Sequence, residues 1–156
     1  HMKARAAEKG IEAMRLASIP MGILVSRDHE LAHREMLTHE DLQGRTFVVL
    51  DGAFYDETSA FTSIFFGQDL DLRFSIVPIS GSLANIDYLD LGDKLLFYSR
   101  ETLEALCEHR NDLAMLPSLD DVPLQAPMAL YYRKDELGPD TLRLIACARQ
   151  FFAPAS

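Results

Sequence analysis

The stretch "GILVSRDHELAHREMLTHEDLQGRTFVVL", residues 22–50, sets two apolar runs on either side of a polar segment rich in histidine. The first run belongs to "MGILVS", residues 21–26, and the second is "TFVVL", residues 46–50. Both have strand length. The second is continuous, as in a parallel strand buried on both faces. Between them "THEDLQG", residues 38–44, predicts a short helical turn, with Thr38 as N-cap, Asp41 three residues on and Gly44 as its stop. The order is strand, polar loop, turn, strand.

The loop also spells HExxH: His29, Glu30 and His33, with His39 ten residues after the first histidine. A zinc hydrolase needs two imidazoles one helical turn apart, and a glutamate placed to take a proton from metal-bound water. That arrangement requires a helix held against a core. "SRDHELAHRE" is polar with little apolar periodicity, and only 28 residues precede His29. Met36 stands where the longer form of the motif has a glycine to turn the chain toward a third ligand. These residues predict solvated loop histidines, no metal and no cofactor. An HExxH zinc hydrolase using His29, Glu30 and His33 remains as an alternative.

Working outward, "KARAAEKGIEAMRLA" (3–17) predicts a helix interrupted at Gly10. "DETSAFTSIFFGQDL" (56–70) predicts a helix capped by Thr58 or Ser59, with Phe61, Ile64 and Phe65 on one face. "LRFSIVPI" (72–79) predicts a strand, and 78–93 is turn-rich and irregular. "KLLFYS" (94–99) predicts a strand, and "RETLEALCEHR" (100–110) is the clearest helix, with Leu103, Leu106 and Cys107 as its stripe. "LAMLP" (113–117) predicts a strand, "SLDDVPLQAP" a loop, and "MALYYRKD" (128–135) a strand. "GPDTLRLIACARQFF" (138–152) predicts a helix that starts at Pro139 and turns Leu142, Ile145, Ala146 and Phe152 to the core. Alternating strands and helices predict α/β layers around a mixed, mostly parallel sheet. Val48, Val49, Ile64, Phe65, Leu103, Leu106, Leu113 and Met115 are the expected core.

Of the 156 residues, 48% are apolar and 25% charged, the balance of an ordinary globular protein. A net charge of −9 and the lack of a compact Lys/Arg stripe argue against nucleic-acid binding by this segment itself. No apolar run is long enough to cross a membrane. Cys107 and Cys147 form no short pairing motif and read as reduced, buried thiols of a cytoplasmic protein, with one disulfide between them as the alternative. His1-Met2 looks like a cloning scar, and the segment after it lacks the apolar centre of a signal peptide. GxxxxGK[ST], GxGxxG and GxSxG do not occur, so the common phosphate-cradle and serine-hydrolase signals are missing.

Three segments together resemble the inducer-binding domain of LysR-type transcriptional regulators. "GILVSRDHELAHREMLTHEDLQGRTFVVL" is similar to the family's strand, "HPLA"-like loop and "dL.g.p.i" element, with Glu30 where proline is usual. "ETLEALCEHRNDLAMLPS" looks like its helix-turn-strand ending in "lP", with Arg110 to Asp112 where glycines are usual. "LQAPMALYYRKDELGPDTLRLIACARQFF" looks like its return strand and closing helix. The resemblance covers roughly residues 19–152. It implies an α/β, periplasmic-binding-protein-like (type 2) lobe with a mixed, mostly parallel sheet flanked by helices. With the cloning scar and N-terminal helix taking 1–20, it further implies lobe-one strand and connection over 21–41, an effector-binding lobe two over 42–117, and a return strand and C-terminal helix of lobe one over 118–156.

The function this implies is sensing, not catalysis. A small molecule would sit in an inter-lobe cleft and control a helix-turn-helix outside this chain, which alone would touch DNA. The chain would form a homodimer or larger homo-oligomer. A stand-alone solute-binding module of the same fold is the alternative. In such a sheet, loops that follow strands and feed helix N-termini face the cleft, and helix N-termini attract anions. This selects Asp51, Tyr55, Thr58 and Ser59 after the 46–50 strand. It selects Ser99, Arg100 and Thr102 after the 94–99 strand. Each hydroxyl could equally be a plain helix cap. Asp51 and Asp56 disfavour an anion at the first of these places. With one cleft wall in the chain, effector binding is expected to be no tighter than about millimolar.

Overall fold

The computed structural model describes residues 10–50, 55–77 and 88–152. β1 runs from Ile11 to Ser26, and its two halves follow different rules. Ile23, Leu24 and Val25 are fully buried, as a continuous apolar run demands. Over residues 12–16 the chain alternates instead: Glu12, Met14 and Leu16 are half-buried, while Ala13 and Arg15 are exposed. The helix predicted over 3–17 is therefore corrected to strand from Ile11 onward, and residues 3–9 lie outside the described part. Glu12 hid the alternation. Its carboxylate accepts from Lys134 Nζ at 2.6 Å and from the Tyr132 hydroxyl at 2.9 Å, so a charged residue shares the half-buried face of Met14 and Leu16.

The chain divides into two compact units, Pro20–Gln125 and His1–Ile19 with Ala126–Ser156. In the larger unit, β1 pairs antiparallel with β4 (Leu96–Ser99), Met21 opposite Ser99 and Leu24 opposite Leu96. It also pairs antiparallel with β5 (Leu113–Leu116), Ile23 opposite Leu116 and Ser26 opposite Leu113. Helix α2 (Arg100–His109) joins β4 to β5, so β1 lies between two strands that run the same way. β2 (Thr46–Val49) pairs parallel with β3 (Arg73–Ile76), and Phe47 bridges to Leu95 in parallel. The arrangement is mixed, with a larger antiparallel share than expected because β1 inserts against its neighbours. Residues 21–41 and 118–125 fall in the larger unit together with 42–117. Their strand and turn contacts are made there.

The 38–44 turn forms as its residues dictate. Asp41 Oδ2 accepts the Thr38 N–H at 2.9 Å and the Thr38 hydroxyl at 2.8 Å. Gly44 takes φ +65° after the 3-10 turn His39–Leu42. Helix α1 (Tyr55–Phe66) lays Phe66 on Phe47 of β2, ring centroids 5.4 Å apart, and Phe65 on Phe97 of β4 at 4.7 Å. Leu24, Val48, Leu91, Leu96, Leu103, Leu106 and Leu113 form the core of this unit, with Met115 and Cys107 packed against it. Ile64 is corrected to the surface, 52% exposed. Residues 118–125 also differ from the predicted loop. β6 (Ser118–Leu119) and β7 (Val122–Pro123) form a hairpin whose two-residue turn puts Asp120 and Asp121 at φ +50° and +63°. Of the segment 78–93, residues 78–87 lie outside the described part.

In the smaller unit, β1 pairs with β8 (Gln125–Arg133), and Lys134 N–H donates to the Gly10 carbonyl at 3.0 Å. Helix α3 (Pro139–Phe151) starts on Pro139 as expected, where the missing N–H costs nothing. Ile145 is its buried residue, while Leu142 and Ala146 are exposed rather than core. Cys107 is half-buried and Cys147 exposed, both as free thiols.

Candidate functional site

β2 and β4 run parallel through the Phe47–Leu95 bridge, so the segments that follow them leave the same end of the sheet. The β4 side is the better defined. Ser99 occupies the N-cap position of α2 in an extended conformation, yet its side chain caps no backbone N–H. Its Oγ lies 2.8 Å from Thr102 Oγ1, and the two hydroxyls bond each other. The first N–H groups of α2 are thus left without a side-chain cap, and their partial positive charge is directed outward. Arg100 adds a formal charge. Its Nη2 donates to the Pro117 carbonyl at 3.1 Å, which ties the start of α2 to the end of β5. Its Nε is buried and meets no acceptor among the described residues. Such an N–H is costly unless a ligand or solvent oxygen meets it.

The β2 side differs from expectation. Asp51 lies outside the described residues. α1 already includes Tyr55, so Thr58 and Ser59 fall in its second turn and are not N-caps. Ser59 Oγ donates to the Asp56 carbonyl at 3.2 Å, and the Thr58 carbonyl accepts from Thr62 Oγ1 at 2.8 Å. These bonds are internal to the helix. Tyr55 is half-buried, its ring set edge-on to Phe74 of β3 with centroids 6.4 Å apart. Asp56 and Glu57 are exposed in the first turn and give this end a negative field. The structure therefore brings Ser99, Arg100 and Thr102 into one group, while the Ser59 hydroxyl is committed inside α1 and Thr58 is not its N-cap.

The HExxH segment forms a single 3-10 turn, Glu30–His33, with His29 outside it as the N-cap. His29 is buried, and its Nδ1 accepts the Leu31 N–H at 3.1 Å. Glu30 pairs with Arg45, and His33 is exposed. His39 sits 3.6 Å from Asp69. Two imidazoles cannot stack one α-turn apart here because no α-turn exists. Among the described residues no three His, Cys, Asp or Glu side chains converge on a metal position. This geometry gives the zinc-hydrolase alternative no support, and it corrects the picture of three solvated histidines, since His29 is a buried cap. The tight spacing of a polar loop before a turn was the signal available for that cap.

The sequence matches the LysR substrate binding domain family over residues 2–153. The chain belongs to that family. LysR substrate-binding domains are the effector-binding regulatory domains of LysR-type transcription regulators, with a periplasmic-binding-protein-like fold. Solved LysR-type structures share the fold. The regulatory domain of CcmR from Synechocystis PCC6803, in complex with 2-PG, superposes with TM-score 0.60 at 18% identity, over 92% of this chain and 67% of that one. The regulatory domain of MetR, a LysR family regulator from N. meningitidis, gives TM-score 0.62 at 15% identity, over 91% of this chain and 63% of that one. The effector binding domain of QuiR in complex with shikimate gives 0.59 at 15%, over 93% of this chain and 66% of that one. This LysR domain thus spans about two thirds of the length of those chains. No curated protein matches its sequence. Among its described residues no helix is long and apolar enough to cross a membrane.

Proposed function

We propose that this chain is the ligand-sensing and self-association domain of a cytoplasmic LysR-type transcriptional regulator. It binds a small effector at the group Ser99, Arg100 and Thr102, with Tyr55 on the neighbouring segment. The carrying observation is Arg100, whose buried Nε lacks an acceptor beside an uncapped helix start. A guanidinium and free helix N–H groups together favour an anionic group on the effector. Asp56 and Glu57 repel such a group from α1, so the effector's anionic end belongs at α2 and its neutral end toward Tyr55. DNA contact then falls to a helix-turn-helix outside this chain, consistent with the net charge of −9. Self-association uses the apolar surface that α1 leaves exposed, where Phe61 is 38% and Ile64 52% exposed.

Calorimetry on the full-length regulator with a panel of small carboxylates tests this reading. Arg100→Gln is expected to weaken the binding carboxylate by about tenfold or more, the weight of a hydrogen bond to a charged group. Ser99→Ala should weaken it less. Unchanged affinity in Arg100→Gln would remove the site from α2.

A further inference from the structure

A second recess lies at the opposite end of the same sheet. Because β1 is antiparallel to β4, Met21 faces Ser99 and the chain leaves β1 at Arg27, far from the start of α2. There a groove of about 570 Å³ opens between α2 and β5. That size lies within the ~300–1,000 Å³ of small-molecule sites. Its floor is apolar, from Leu113 and Met115. Its lining also carries charge of both signs: Glu104 and Glu108, one turn apart on α2, and Arg27, which follows β1.

Arg27 is held in place without being neutralised. Its backbone N–H donates to the Asp112 carbonyl at 2.7 Å and its Nη2 to the Leu113 carbonyl at 3.2 Å. Among the described residues no ion pair joins it to Glu104 or Glu108. Both signs of charge nevertheless act on one point between them. The Cys107 thiol, raised chiefly by burial, is lowered by Arg27 and raised by Glu104. Opposite charges that face one apolar groove and do not close on each other match a ligand carrying both charges itself.

We propose that this groove binds a zwitterionic α-amino acid with an apolar side chain. Its carboxylate would meet Arg27, its ammonium Glu104 and Glu108, and its side chain the Leu113–Met115 floor. A carboxylate alone would face the two like charges of Glu104 and Glu108, and an amine alone would face the guanidinium. The site is independent of the one at Ser99 and Arg100.

Amide chemical-shift titration of the whole chain tests it with L-leucine and L-methionine. 4-Methylpentanoate and isopentylamine serve as single-charge controls. At least one amino acid should shift the Cys107 and Ala114 amides, with each control about tenfold or more weaker. Glu104→Gln with Glu108→Gln, both exposed, should weaken the amino acid similarly. Arg27→Gln should do the same provided its amide spectrum remains dispersed. Neither amino acid shifting the groove, or the single-charge controls binding equally well, would overturn the proposal.

Discussion

The Nδ1 of His29 accepts the backbone N–H of Leu31 at 3.1 Å, so an imidazole does the work usually done by a serine or aspartate at the start of a turn. Removing it strands a buried N–H. His29→Ala should therefore cost about 0.5–2 kcal/mol of stability, and His29→Asn should recover most of that. Chelator should leave the urea midpoints of all three proteins unchanged. A midpoint that falls with chelator in the parent and not in His29→Ala would restore the metal reading.

Leu106 is 3% exposed within the core of the larger unit, whereas Ile64 is 52% exposed on α1. Leu106→Ala should destabilise by about 2–5 kcal/mol, through lost burial and the cavity left behind. Ile64→Ala should stay within about 0.5 kcal/mol. Ile64→Asp tests association separately: light scattering should shift toward monomer with little change in thermal midpoint. Equal losses for the two alanine variants would contradict the packing of α1.

Gly22 leaves no room for a side chain. A Cβ there would stand 2.9 Å from Met115 Sδ and 3.2 Å from Leu103 Cδ1. Gly22→Ala should cost about 1–3 kcal/mol by overpacking. Combining it with Met115→Ala should give a loss smaller than the sum of the two, because the shortened side chain vacates the clash. Strict additivity in denaturant melts would mean that the strain falls elsewhere.

Acid should weaken the turn between α2 and β5. The Arg110 guanidinium bonded to Asp112 holds that carboxyl at about 2, below its ordinary 3.8. A depressed folded-state value contributes stability above 3.8, and the contribution fades as pH falls toward 2. Asp112→Asn should flatten the acid limb of the stability curve in that window and leave the neutral region's slope unchanged. A parallel acid limb in the variant would show the pair to be inert.

How far the residues announced these features depends on whether polar groups kept to the outside. α2 was legible because Leu103 and Leu106 recur at helical spacing with Glu101, Glu104 and Glu108 opposite. Residues 11–17 were not, because Glu12 stands on the half-buried face with Met14 and Leu16, where Lys134 and Tyr132 satisfy it. The β6–β7 hairpin escaped because its turn uses Asp120 and Asp121 where asparagine and glycine are the usual signals. At the site, Ser99, Arg100 and Thr102 followed from a strand feeding a helix. That the two hydroxyls bond each other rather than the helix end is a side-chain choice that spacing does not encode. Thr58 and Ser59 failed as caps because α1 already includes Tyr55.

The position of β1 between β4 and β5 has a consequence for synthesis on the ribosome. Leu24 finds its partners in Leu96 and Met115, so the fully buried Ile23–Val25 run emerges long before either neighbour exists. Until α2 and β5 have left the exit tunnel, Ile23, Leu24 and Val25 have no sheet to enter. Pairings of such sequence separation form slowly, and an early exposed strand is a target for holding chaperones and for aggregation between nascent chains. The polar, histidine-rich turn at 29–39 follows directly behind it and keeps the next stretch of nascent chain soluble during that interval.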